Sequence, residues 1–136
     1  MNDLTRGNVP IKSENDIVAA RRVVRDLATR LCFGVTDITR VITAASELAR
    51  NVFLYAGAGV MRWSILDRCG EVGLELSFED HGAGIPDIEQ AMKPGYTTSR
   101  GLGLGLPGAK RLMDEMEIHT EMGKGTTVTV RKWLRK

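Results

Sequence analysis

The spacing of apolar residues changes part-way along this chain, and that change limits its folds more than any other feature. Ile17, Ala20, Val24, Leu27, Ala28 and Leu31 recur at helical spacing, and Ile38, Val41, Ile42, Ala45, Leu48, Ala49 and Val52 form a second such stripe. Ser13 followed by Asp16 has the form of an N-cap with an acidic first turn. Gly34 is expected to stop the first helix, and the second is expected from near Thr36 to just before Gly57 and Gly59. The period then becomes two. Met61, Trp63 and Ile65 alternate with Arg62 and Ser64, and Leu74, Leu76 and Phe78 alternate with Glu75, Ser77 and Glu79, with a turn at Gly70 between them. After punctuation from Gly82 to Pro86, the sequence predicts a short polar helix near Asp87–Met92 and a loop over Lys93–Gly105. A further helix carries Leu106, Ala109, Leu112, Met113 and Met116, with Pro107 in its first turn. Glu117–Met122 and Thr126–Trp133 close the chain as two strands around a Gly123–Gly125 turn. Strands that neighbour one another in sequence pair antiparallel. The expected fold is therefore α+β, a two-layer sandwich with a mostly antiparallel mixed sheet and helices on one face.

Composition narrows the class. At 136 residues the chain is one domain's worth, 1–136, on the prior of roughly 100–200 residues per domain. Hydrophobic content of 43% and charged content of 26% are globular values and exclude overall disorder. No apolar run approaches the roughly 18 residues of a membrane span, and residues 1–15 lack the apolar stretch of a secretory signal. Cys32 and Cys69 form no CxxC pair, and His81 and His119 are too few for a His-rich metal site. A soluble, cytoplasmic protein is expected, with neither membrane nor nucleic acid as partner, since a net charge of +2 is too balanced for the latter. Two basic stretches stand out, Arg21, Arg22, Arg25 and Arg30, and Arg131, Lys132, Arg135 and Lys136. They read as a solvated helix face and a frayed tail, with a partner-docking surface as the alternative.

Three groups of residues carry chemistry. The run Gly101-Leu-Gly103-Leu-Gly105-Leu-Pro-Gly108 lets backbone N–H groups approach an anion ahead of a helix N-terminus. It matches GxGxxG formally, yet no strand precedes it, and no Walker A motif occurs in the chain. Asp80-His81-Gly82-Ala83-Gly84-Ile85-Pro86 follows a strand directly, so a carboxylate can accept from an exocyclic amine while backbone passes flat against the ligand. A tight turn with Asp as turn former is the plain alternative. Glu47 and Asn51 lie at i and i+4 on one helix face. An Asn oxygen suits Mg²⁺, which keeps waters and substrate phosphates as its other ligands. A carboxylate one turn away can take a proton from an attacking hydroxyl or water. Alone, the pair would read as ordinary solvated polar residues.

The order of these pieces, Glu47-x-x-x-Asn51, Asp80-x-Gly82-x-Gly84, Gly101-x-Gly103-x-Gly105 and Gly125-Thr126, resembles the nucleotide site of the GHKL superfamily, whose ATP-binding domain is the Bergerat fold. The resemblance implies ATP and Mg²⁺ as cofactors, with Asn51 coordinating the metal and Asp80 bonding the adenine amine. It implies further nucleotide contacts from Gly82, Gly84, Ile85, Thr98, Ser99, Leu106 and Thr126. Gly101, Leu102, Gly103, Leu104 and Gly105 would wrap the phosphates, and Lys93–Arg100 would form a mobile lid.

Within that superfamily the chain is most similar to the RsbT-type switch protein-serine kinases of bacterial stressosome modules. The resemblance rests on Ala45-Ser-Glu-Leu-Ala-Arg-Asn51, Tyr55-Ala-Gly-Ala-Gly59, Gly84-Ile-Pro-Asp-Ile88, Thr98-Ser99, Leu106-Pro-Gly-Ala-Lys-Arg-Leu-Met-Asp-Glu115 and Lys132-Trp-Leu134. It runs from about Ile11 to Leu134. Two positions depart from the pattern. Ala83 stands where Pro is frequent, and Arg100 stands where Gly is common. The resemblance implies a serine/threonine kinase with Glu47 as catalytic base, and with Arg50 and Arg100 as candidates for extra phosphate charge. Its substrates would be STAS-domain stressosome proteins, and the released kinase would activate a PP2C-type phosphatase. An anti-sigma-factor kinase and a catalytically idle, ATP-gated adaptor are the alternatives.

Overall fold

Helix ends in this protein are written in side chains and backbone sign rather than in glycine alone. In the computed structural model, which describes residues 5–82, 84 and 105–134, helix α1 covers Glu14–Arg30 and α2 covers Val35–Ala56. The Ser13 hydroxyl accepts from the Asp16 N–H at 3.3 Å, and the Asp16 carboxylate accepts from the Lys12 N–H at 2.8 Å. The first of these bonds satisfies one orphan donor of α1, as the sequence predicts, and the second fixes the chain just before the cap. Its C-terminus differs from expectation. Cys32, at φ 67°, takes the left-handed position, donating to Thr29 O at 3.0 Å, while Phe33 donates to Ala28 O at 3.0 Å. This is a Schellman closure with Cys where Gly is usual. Gly34 instead serves as the N-cap of α2, with φ −68°.

The strands are β1 (Arg6–Ile11), β2 (Gly59–Arg68), β3 (Glu71–Asp80), β4 (Glu115–Glu121) and β5 (Gly125–Trp133), with helix α3 (Gly105–Leu112) before β4. They form one sheet in the order β1-β2-β3-β5-β4, every neighbour antiparallel. The turn between β2 and β3 is the two-residue loop Cys69-Gly70, with φ 54° and 88°. Two positive φ values in a two-residue hairpin define the primed turn whose twist matches the strands.

Register explains the core. Val9, Met61, Phe78, Val128 and Ile118 stand in one row across all five strands, and Gly7, Trp63, Leu76, Val130 and Met116 in the next. Against this face pack Ile17, Ala20, Val24, Leu27 and Ala28 of α1 and Val41, Ala44, Ala45, Leu48, Ala49 and Val52 of α2, all buried. The opposite face carries Arg62, Ser77, Thr129 and Glu117 in one row and Ser64, Glu75, Arg131 and Glu115 in another. Two layers, with apolar residues between them and charges outside, match the predicted α+β sandwich.

Two expectations need correction. The helix ends at Leu112, so Met113 lies past it, and Met116 belongs to β4, which begins at Glu115 rather than Glu117; its period also fits the strand alternation Met116, Ile118, Thr120. Strand β1 was not legible locally, because Gly7 and Pro10 break a strand pattern. Pro10 is tolerated on an edge strand, and Gly7 is required because a Cβ there would stand 2.7 Å from the Trp63 ring. The predicted helix near Asp87–Met92 and the Lys93–Arg100 loop lie outside the described residues.

The supposed basic tail is partly interior. Lys132 is 4% exposed, donating to Leu112 O at 2.9 Å and lying 3.5 Å from Asp114 and 3.6 Å from Asp37. It thus ties the end of α3 to the start of α2. Arg131 pairs with Glu75 at 2.7 Å, Glu117 at 2.6 Å and Glu115 at 3.2 Å. Burial works against its charge, but the bonds to Glu117 and Glu75 prevail and raise its pKa further. Beside it, Glu115 accepts from the Trp133 indole N–H at 2.6 Å, and the Arg68 guanidinium stacks 4.6 Å from the Trp133 ring centroid.

The Trp133 bond holds the Glu115 carboxyl below its ordinary 4.5, against burial and with help from Arg131 and Arg68. A depressed folded-state pKa means that folding favours the ionised form, so the stability it adds is present above about pH 4.5 and is lost as pH falls through the folded value. Wild-type Tm is expected to drop as the pH falls below about 4.5, with Glu115→Gln flattening that limb. Identical acid limbs for the two proteins in a thermal-melt series would remove Glu115 from the account.

Candidate functional site

The apolar face of the sheet turns polar at one end. The row beyond Val9, Met61, Phe78, Val128 and Ile118 consists of Ile11, Gly59, Asp80, Thr126 and Thr120. Strand pairing thus brings Asp80, the last residue of β3, beside Thr126 on the same face, with Thr120 one strand further on. A cavity of about 480 Å³ lies at this end of the sheet, and besides Asp80, Thr120, Gly125 and Thr126 its lining takes in Glu79, Thr127 and His119, a row of the opposite face.

Backbone approaches closely around Asp80, and two glycines make that possible. Gly125, at φ 134°, lies so near Asp80 that a Cβ would overlap the Asp80 carbonyl oxygen. Gly82 passes between Asp80 and the end of α2, where a Cβ would come 3.0 Å from the Ala56 Cβ. Its N–H donates to Asp80 Oδ1 at 2.9 Å, which fixes the carboxylate and leaves Oδ2 to accept from a ligand. Gly84, at φ 89°, abuts Glu121 O.

Helix α2 packs on the inward face of the sheet and ends beside Gly82. Val41, Ala44, Ala45, Leu48, Ala49 and Val52 are buried, and Glu47 and Asn51 are half-buried beside them. At about 1.5 Å per residue, Asn51 precedes Ala56 by about 7.5 Å along the axis and Glu47 by about 13.5 Å. From the Asp80 end the helix therefore presents an amide and then a carboxylate. The Glu47 side chain is 15% exposed, with Arg50 3.9 Å away. Helix α3 packs on α2 and begins at Gly105 and Leu106, both buried.

Asn51 offers one side-chain oxygen, and among the described residues no group of three or more His, Cys, Asp or Glu could hold a metal ion. That donor set fits a hard cation that takes its remaining ligands from phosphates and water, as Mg²⁺ does.

The model of the histidine kinase-like ATPase domain matches residues 11–132. The chain belongs to that family. The serine/threonine-protein kinase RsbT of Bacillus subtilis is 50% identical over 135 residues, which span 99% of this chain and all of that one. An anti-sigma F factor of Geobacillus kaustophilus is 33% identical, covering 92% of this chain and 88% of its own. Among solved structures, the RsbU and RsbW domains of a Mycobacterium tuberculosis protein superpose with a TM-score of 0.65 at 18% identity. The match covers 95% of this chain and 32% of that longer one. SiaB in its complex with SiaC from Pseudomonas aeruginosa gives 0.57 at 15%, covering 96% and 90%. Those two likenesses show the fold.

Set against the expected site, the structure brings Asp80, Gly82, Gly84 and Thr126 to one end of the sheet and places Glu47 and Asn51 on the helix that ends beside it. Gly105 and Leu106 open α3. Ile85, Thr98, Ser99, Arg100, Gly101, Leu102, Gly103 and Leu104 lie outside the described residues. Thr120 and Ala56 were missed. The alternation Met116, Ile118, Thr120 would have put Thr120 on the inward face, but only the β4–β5 register sets it against Thr126.

Proposed function

We propose that this chain transfers the γ-phosphoryl group of ATP to a serine or threonine of a STAS-domain stressosome protein, and that it then activates a PP2C-type phosphatase. The enzyme class, a serine/threonine protein kinase, rests on 50% identity to the Bacillus kinase across the whole length of both chains. The observation that carries the chemistry is the order along α2, with Asp80 and Gly82 at its end, Asn51 before them and Glu47 one turn earlier.

That order matches base, phosphates and acceptor hydroxyl. Asp80 accepts from the adenine amine, and Gly82 and Gly84 admit the ring. Asn51 would hold Mg²⁺, which when bound neutralises phosphate charge. Glu47 orients the acceptor hydroxyl and takes its proton as the oxygen–phosphorus bond forms and ADP leaves. Phosphoryl transfer asks a protein mainly for such positioning and charge compensation. Ile85, Thr98, Ser99, Gly101, Leu102, Gly103, Leu104, Gly105, Leu106 and Thr126 complete the nucleotide site in this reading. Residues 1–136 act as one kinase domain in the cytoplasm; no described helix is long and apolar enough to cross a membrane.

Mixing the protein with Mg²⁺, γ-labelled ATP and a STAS-domain protein from the same genome is expected to label the acceptor. Nucleotide binding with no label on any such acceptor would favour the idle adaptor, and no nucleotide binding would end the reading. The anti-sigma F relative keeps sigma-factor capture as a second reading. Co-purification with alternative sigma factors separates the two.

A further inference from the structure

Charges along α2 are sorted by exposure. Arg40, Thr43, Glu47 and Arg50 recur at intervals of three and four residues and so form one stripe along the helix. Here the cations stand out and the carboxylates are withdrawn. The Arg40 and Arg50 side chains are 49% and 47% exposed, whereas those of Asp37 and Glu47 are 16% and 15% exposed. The Thr43 and Ser46 hydroxyls donate back to Thr39 O and Ile42 O, both at 2.9 Å, which leaves charge as the polar character of this face.

A second helix adds to it. Lys132 Nζ lies 2.9 Å from Leu112 O and 3.6 Å from Asp37 Oδ1, so the last turn of α3 meets the first turn of α2. That turn of α3 carries Lys110 and Arg111, both exposed, and neither forms an ion pair among the described residues. The carboxylates at this junction are already engaged. Asp37 serves Lys132 and Arg40, and Asp114 serves Lys132 and the Trp133 N–H. The surface running from Glu47 toward the start of α2 is therefore net positive.

We propose that Arg40, Lys110 and Arg111 form a docking surface for an acidic segment of the acceptor protein, beside the serine or threonine that is phosphorylated. This rests on the kinase reading above and deepens it by naming the chemistry of the substrate. A hydroxyl reaches Glu47 only if the acceptor covers α2 around it. The nucleotide lies toward Ala56 in that reading, so the acceptor extends the other way, over Arg40 and the junction with α3. Arg40 and Glu47 are two turns apart, about 10.5 Å along the axis, which about three residues of extended chain span. Carboxylates within about that distance of the acceptor hydroxyl meet the cations while the hydroxyl meets Glu47.

The test is the KM for a STAS-domain acceptor. Lys110→Glu with Arg111→Glu reverses two exposed charges, and Arg22→Glu with Arg25→Glu, also exposed but on α1, makes the same change in net charge elsewhere. The α3 pair is expected to raise the acceptor KM about tenfold, the scale of two exposed ion pairs turned repulsive, with kcat at saturating acceptor and the Kd for ATP unchanged. Glutamine in place of the acceptor's acidic residues near the labelled hydroxyl should raise KM for the wild type and lower it for the α3 variant. An unchanged KM, an equal rise in the α1 variant, a loss of ATP affinity, or a labelled hydroxyl with no carboxylate near it would each overturn the inference. Failure of the wild-type protein to label any such acceptor would instead overturn the kinase reading itself, taking this inference with it.

Discussion

Glu47→Ala is expected to lower the rate of phosphoryl transfer about 10²–10⁴-fold, the span assigned to a positioned general base, while ATP still binds. The separation follows from geometry. Glu47 lies about 13.5 Å along α2 from Ala56, where the helix meets Gly82 and Asp80, so truncating it leaves the base end of the site untouched. Nor does the fold depend on it. Arg50, 3.9 Å away, is 47% exposed, and an ion pair of that kind adds little. Single-turnover transfer to a STAS-domain acceptor, set beside ATP titration by calorimetry, reads both quantities. A parallel loss of binding and transfer would take the proton-accepting role away from Glu47.

Asp80→Asn acts at the other end and should read oppositely, with ATP affinity falling about 10- to 100-fold, the range of a bond to a charged group. The variant is informative because the turn survives it. An Asn carbonyl can still accept from the Gly82 N–H, now at 2.9 Å from Asp80 Oδ1, so the loop keeps its shape. The second oxygen then becomes an NH₂ group, a donor facing an amine that also donates. Unchanged affinity in the Asn variant would refute the adenine contact, and a large drop in Tm would show that Asp80 chiefly holds the turn.

What could be read from local order was the set of elements. Apolar spacing in Ile17–Leu31 and Ile38–Val52 is helical whatever surrounds it, because 3.6 residues per turn puts those side chains on one face. Alternation in Met61–Ile65 and Leu74–Phe78 likewise demands strands with one buried side. Asp80-x-Gly82-x-Gly84 alone reads equally as a tight turn, and it stood out by its order with Glu47-x-x-x-Asn51 and the glycine run after it.

Positions whose role depends on a distant partner were not readable in this way. Nothing within residues 6–11 overrides Gly7 and Pro10, and β1 exists because β2 offers it an edge. Cys32 and Cys69 hold positive φ where glycine or asparagine would be guessed, since helix closure and hairpin twist dictate the backbone there. Lys132 looked like tail charge until Leu112, Asp114 and Asp37 enclosed it.

The sequence by itself therefore determined the helices and the strands other than β1, which face of each is apolar, and which residue types can meet a nucleotide. Only the tertiary structure decided that Asp80, Thr126 and Thr120 stand in one row, with Gly82 wedged against Ala56. The physical reason is that periodicity reports the environment of a segment one residue at a time, whereas the register of β3 on β5, whose partners lie 46 or more residues apart, is set by the joint packing of both helices on the finished sheet.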